Sequence, residues 1–223
     1  MKLSTEHNAI VNAETVYLKN VHSVKNYKHA VIKKSTNKKL GKKIVKGAWR
    51  GLPMYTLTLV ERRTCTDLCE HWLTCYGNNM PFAHRFDADE HLMPRLDLEL
   101  NALDVKHPNG YVIRLHILGD FYSVAYVKFW QKQLANRPAL KIYGYSRHHP
   151  PGTIGKEIAK TIKLFPDTFK VRFSNMPDNK FSANSEDVTT QGIICPVQLD
   201  KTANCGTCGL CWTVNKPIIF KTH

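Results

Sequence analysis

Apolar positions along the chain fall into two alternating rhythms. Tyr55–Val60 is a short β-rich run. From Pro94 to Val105, Leu96, Leu100 and Leu103 recur at helical spacing, and Pro94 suits a first helical turn. Tyr111–Leu118 (YVIRLHIL) predicts a strand. Ser123 is expected to cap a helix running to Ala135, with Val127, Trp130 and Leu134 on its buried stripe and Trp130 in the core. Leu140–Tyr145 predicts a strand. Thr153 is then expected to cap a helix to Phe165, with Ile154, Ile158, Ile162 and Phe165 on one face, and Phe169–Phe173 predicts a further strand. This alternation predicts an α/β fold with a parallel sheet or barrel, about four βα units long, half of an eight-fold barrel.

Side chains alternate across a strand, so the faces can be read from the same stretches. Ile113, Leu115 and Ile117 are expected on one face of the second strand, with Arg114 and His116 on the other. Tyr143 and Tyr145 share a face of the third. Lys170, Arg172 and Ser174 face away from Val171 and Phe173 on the fourth. The helices would cover the apolar face, and the polar face would line a cavity or half-open interior. In parallel α/β folds the site gathers at the carboxyl ends of the strands. Here those exits carry the cysteine-bearing stretch 65–76, Gly119-Asp120, Ser146-Arg147-His148-His149 and Ser174-Asn175. His148 and His149 fit ordinary loop histidines, and Asp120 fits either a general base or a helix cap.

Three stretches fall outside the rhythm. Residues 1–50 show only short β-prone pieces, Thr15–Leu18 and Ala30–Ile32, between lysines, and the core is expected to begin near Trp49. Pro177–Gln191 is turn-rich and polar and predicts a linker or surface loop. A cysteine-rich segment follows. The expected organisation is a basic extension over 1–50, a βα array over 51–176, and a linker with a C-terminal cysteine module over 177–223.

Charge and cysteine usage narrow the chemistry. The net charge is +14. Residues 1–50 hold twelve lysine or arginine residues against Glu6 and Glu14, which points to a nucleic acid or another polyanion as partner, or else to a solvated arm. No apolar run approaches the roughly 20 residues of a membrane span, and the start lacks the apolar region of a secretory signal. Seven cysteines, an odd number, argue against a disulfide framework and for a reducing, cytoplasmic compartment. No P-loop, nucleophile elbow or dinucleotide fingerprint is present.

All seven cysteines lie in two clusters. Cys205, Cys208 and Cys211 form a C-x2-C-x2-C run, and Cys195-Pro196 can supply a fourth thiolate. That run suits a 4Fe-4S cubane, with a four-thiolate zinc site as the alternative. Cys65, Cys69 and Cys75 form a C-x3-C-x5-C loop with three thiolates. A cubane held by three cysteines leaves one iron open to a small molecule. The alternative is zinc with three thiolates and His71 or His84.

With these motifs in view, the chain resembles the small radical-SAM-like iron–sulfur proteins encoded by phages and prophages. The likeness spans roughly residues 50–215. It rests on the Cys65…Cys69…Cys75-Tyr76 loop, RLHILGDF (Arg114–Phe121), IYGYSR (Ile142–Arg147), VRFSN (Val171–Asn175) and CGTCGLCW (Cys205–Trp212). The loop departs from the superfamily's usual C-x3-C-x2-C, and its aromatic, Tyr76, follows the last cysteine rather than preceding it. The resemblance implies a partial (β/α) barrel of the radical-SAM type with a C-terminal cluster module, in a bacterial or phage-infected cytoplasm. It implies one or two 4Fe-4S clusters, S-adenosylmethionine on the open iron, and a reductant if the protein is catalytic. Gly119-Asp120 would meet the cofactor's amino group, and Ser146, Arg147, Ser174 and Asn175 its carboxylate and ribose, with Tyr76 beside the cluster. Two functions follow as expectations: radical modification of a substrate such as nucleic acid, or nucleic-acid binding by a metal-stabilised protein without turnover.

Overall fold

The computed structural model describes residues 1–221. In chain order the strands are β1 (Val21–His22), β2 (Lys33–Lys34), β3 (Met54–Thr56), β4 (Arg85–Phe86), β5 (Tyr111–Leu115), β6 (Leu140–Ser146), β7 (Phe169–Ser174), β8 (Ser182–Ser185), β9 (Ile193–Ile194) and β10 (Ile218–Phe220). The α-helices are α1 (Asn8–Val11), α2 (Leu92–Lys106), α3 (Val124–Asn136), α4 (Thr153–Leu164), α5 (Cys205–Cys208) and α6 (Leu210–Thr213). The fold is mixed α/β. Its main sheet has the order β2-β3-β5-β6-β7-β8-β10-β9, and every pairing is parallel except β2 with β3. β1 and β4 form a separate parallel pair.

The central βα rhythm follows the sequence pattern. Ser123 caps α3, its hydroxyl accepting from the Tyr126 amide at 3.1 Å. Trp130 is fully buried in the helix-side core. Pro94 falls in the first turn of α2, and Leu96, Leu100 and Leu103 are buried. Gly152, not Thr153, occupies the cap position of α4, so that helix starts without a side-chain cap bond.

Both sheet faces are covered. Ile113, Leu115, Ile142, Val171 and Phe173 pack with α2, α3 and α4. Met54, Val112 and Tyr143 face the other way, against Leu40, Ile44, Trp49, Cys211 and Trp212. Trp49 and Trp212 stack 5.8 Å apart. The face expected to line an open interior is therefore closed by the N-terminal segment and the cysteine-rich C-terminal segment. Arg172 explains how. Fully buried, it donates to the carbonyls of Leu210, Cys211, Val214, Lys216 and Ser182, and so ties the C-terminal segment to β7.

Other expectations shift. β5 ends at Leu115, where the chain turns; Ile117 packs on the face opposite Ile113, and His116 packs against Phe121 and Tyr126 near the helices. The stretch 177–191 contains β8, whose Ser182, Ala183 and Asn184 are buried between β7 and β10. Its small polar side chains show no apolar alternation, so backbone pairing is what makes it a strand. The core also reaches back before Trp49, to Val24, Val31 and Ile32. No helix among the described residues is long and apolar enough to cross a membrane.

Candidate functional site

The loop after β3 is built on buried charge. Glu61, Arg62 and Arg85 are all essentially inaccessible. The Glu61 carboxylate accepts from Arg85 Nε and from the Thr15 hydroxyl, both at 2.7 Å. Arg85 also donates to the carbonyls of Gly77, Met80 and Ala83. Gly77 has no room for a side chain, since a Cβ would lie 2.7 Å from the Glu61 carboxyl carbon. Arg62 takes a left-handed backbone, with φ at 64°. Its guanidinium donates to the carbonyls of Trp72 and Glu14 and to Asn78 Oδ1. Fully bonded buried charges of this kind fix a loop, because breaking any partner strands a charge away from water. The sequence shows Glu61 and Arg62 only as part of a charged triplet, Glu61-Arg62-Arg63, after an apolar run, and Arg85 as a lone charge between His84 and Phe86.

On this base stand Cys65, Cys69 and Cys75, near enough that their thiols influence one another. Burial pushes all three thiols up, Cys65 well above its usual value and Cys69 to about 11, and the Asp120 carboxylate adds to both of those. They are neutral thiols at physiological pH, and a metal bound there would have to displace their protons.

The neighbouring strand exits meet this loop. Gly119 has φ +82°, and a Cβ there would lie 2.7 Å from Leu59 Cβ and closer still to Thr64 Oγ1, the residue before Cys65. Asp120 is 5 % exposed. Its carboxylate accepts from the amides of Phe121 and Arg147, both at 2.7 Å. Burial holds its pKa above the usual range, against the opposing pull of His148 and these hydrogen bonds. Because α3 is capped by Ser123, Asp120 is not a helix cap. Ser146 is buried, and its hydroxyl accepts from the His148 amide. Arg147 makes a two-pronged ion pair with Glu70, a residue of the cysteine loop, with Nε to Oε2 at 2.8 Å. Burial would raise the Glu70 pKa, but Arg147 and Asn175 bond it and hold it below the usual range. Asn175 sits at a left-handed φ of 49° and accepts from the Ser185 amide. The Ser174 carbonyl bonds His149.

Cys65, Cys69, Cys75, Gly119, Asp120, Ser146, Arg147 and Asn175 thus belong to one locality. Tyr76, directly after Cys75, is 54 % exposed. His84 stacks on His22, 4.9 Å away, and Tyr27 adds an edge contact.

The second cysteine set lies against the sheet. Cys195, Cys205, Cys208 and Cys211 line one small cavity together with Trp212. Asn204 caps α5 with a reciprocal box through Thr207, and Gly209 turns the chain at φ 75° between Cys208 and Cys211. Tyr145 donates its hydroxyl to Cys211 Sγ at 2.9 Å. Arg114 lies over the rings of Tyr143 and Tyr145 and lowers the thiol of Cys205, whose pKa burial nevertheless pushes up to about 12. Among the described residues, no three His, Cys, Asp or Glu side chains are drawn together closely enough to hold a single metal ion.

Comparison with family models, with curated proteins and with solved structures returns no match for this chain.

Proposed function

We propose that the protein is a radical-SAM-like iron–sulfur protein whose mostly parallel sheet forms a partial (β/α) barrel. One observation carries this: a loop with three thiols leaves β3 and meets Asp120 after β5 and Arg147 after β6, at the carboxyl ends of adjacent parallel strands. Cys65, Cys69 and Cys75 would hold one 4Fe-4S cluster, and Cys195, Cys205, Cys208 and Cys211 an auxiliary one. The donor sets fit in kind, since each is all-thiol and Cys195 and Cys211 are buried, but among the described residues no three of these side chains stand close enough to hold a single ion, so binding would draw the thiols together. Once bound, the first cluster supplies one-electron reduction of S-adenosylmethionine.

The chain's own residues would bind and orient. Asp120 is a sheltered acceptor held by two amides, suited to an ammonium group. Arg147 and Asn175 already hold one carboxylate, that of Glu70, so the pair has donors for a ligand's carboxylate. Gly119 keeps the backbone close to the loop. Anaerobic reconstitution is expected to give about eight irons per chain. With reductant and cofactor, 5′-deoxyadenosine is expected, and its absence counts against turnover.

The net charge of +14 favours a second reading: a metal-stabilised nucleic-acid-binding protein, with iron–sulfur or zinc sites and no turnover. In that case Cys75→Ala weakens folding, while cofactor cleavage is never seen. A brown protein absorbing near roughly 400 nm, as cubanes do, or a colourless zinc protein separates the metals.

A further inference from the structure

The lysine-rich stretch of the N-terminal region is not a free arm. Its residues 39–45 are hydrogen-bonded to the C-terminal cysteine segment. The Cys205 amide donates to the Lys39 carbonyl at 2.8 Å, Gly206 to the Leu40 carbonyl at 3.0 Å, and Val45 to the Gly206 carbonyl at 2.8 Å. The fit is close, for a Cβ on Gly41 would strike the Asn204 side chain, and one on Gly206 the Lys43 carbonyl. Ile44 and Trp49 seat the same stretch in the apolar cluster with Trp212.

This docking creates a groove of about 890 Å³. Among the described residues, Lys38 and Lys39 line it from the N-terminal stretch and Lys201 and Lys221 from the C-terminal segment, with Asp200 as the one acid. All four lysines are exposed. Lys42, Lys43 and Lys46, a few residues further along the same stretch, are also exposed. Four cations against one anion, on two walls fixed by backbone bonds, make a track for repeated phosphates rather than a scattered charged face. Among the described residues no aromatic ring lines it, so the contacts they offer a strand are to its phosphates and not to stacked bases.

We propose that this groove binds the sugar–phosphate backbone of a single nucleic-acid strand, without reading its bases. The proposal rests on nucleic acid being the partner, and not on any cofactor chemistry. Phosphate contacts of this kind position a strand and release counterions.

The test is fluorescence anisotropy with a labelled single-stranded oligonucleotide and the reconstituted full chain. With four lysine contacts, the slope of log affinity against log salt is expected near about −3, so affinity falls about fifty-fold between 50 and 200 mM salt. Changing Lys38, Lys39, Lys201 and Lys221 together to Gln is expected to lower affinity at least tenfold and flatten that slope. The control changes Lys106, Lys128, Lys132 and Lys163, exposed on or beside the helices, to Gln. It removes the same charge and is expected to change affinity less than threefold. Two half-variants, Lys38→Gln with Lys39→Gln and Lys201→Gln with Lys221→Gln, keep the test valid if the fourfold change harms folding, and circular dichroism checks each. Equal losses in groove and control variants overturn the groove while leaving nucleic-acid binding standing. No binding by the unaltered chain overturns both.

Discussion

Glu70 carries a carboxylate from the cysteine loop onto Arg147 and Asn175, at the ends of β6 and β7. Its side chain is 40 % exposed and that of Arg147 20 %, so solvent screens the pair and its worth to the fold is small. Glu70→Gln is expected to cost under about 1 kcal/mol in urea unfolding. If Arg147 receives a ligand carboxylate, the same change also tightens S-adenosylmethionine binding, measured by calorimetry on the reconstituted protein, because the internal competitor is weakened. His116 behaves differently. Burial, with Arg114 nearby, lowers its pKa to about 3, so it is neutral in the folded chain. The unfolded chain takes up a proton near its ordinary value of 6.5, and stability is lost as pH falls from there toward 3. Between pH 6.5 and 5 that loss is about 2 kcal/mol, and His116→Gln is expected to remove most of it in paired denaturation curves. The same slope in both proteins would assign the acid sensitivity to other groups. None of this was legible from the sequence, where His116 reads as one more polar position on a strand; its neutrality comes from the turn after Leu115, which packs the ring against Phe121 and Tyr126.

Elements explain which parts could be read in advance. α2, α3 and α4 follow from apolar periodicity, because each buries one stripe, and β5, β6 and β7 follow from their apolar runs, although both of their faces are covered. β8 and the N-terminal packing do not, because Ser182–Ser185 are small and mostly polar and the apolar residues of 1–50 are scattered among eleven lysines. The thiols and the strand-exit residues were visible as motifs. Their supports, Glu61, Arg62, Arg85 and Arg172, were not, since charged residues are seldom fully buried unless paired. Arg172 joins β7 to the C-terminal segment through four carbonyls and to β8 through a fifth, that of Ser182. Arg172→Met leaves those carbonyls short of a donor and is expected to destabilise by at least about 3 kcal/mol in chemical denaturation. It is also expected to deplete iron from the four-cysteine set before the three-cysteine set, read as a fall in iron per chain. Gly119→Ala meets both a left-handed backbone and the Thr64 and Leu59 side chains. It is expected to cost about 1–3 kcal/mol and to disturb the three-cysteine loop first. Unchanged stability there would mean the turn can rearrange.

At the scale of the whole molecule, the two ends of the chain and the sheet between them hold two thiol sites apart. The three-cysteine loop sits at the carboxyl ends of β3, β5 and β6, on its own network of buried charge. The four-cysteine segment packs against the sheet face opposite the helices, under Tyr143, Tyr145 and Arg172. On the proposed ligation neither set needs a ligand from the other, so loading one should not require the other. Iron counted per chain after anaerobic reconstitution tests this most directly, comparing the unaltered protein with Cys65→Ser, Cys69→Ser, Cys75→Ser combined. The expected result is about eight irons falling to about four, with a brown protein in both cases. A colourless protein carrying zinc, or an iron count that the triple change leaves untouched, would contradict a cluster at the strand ends.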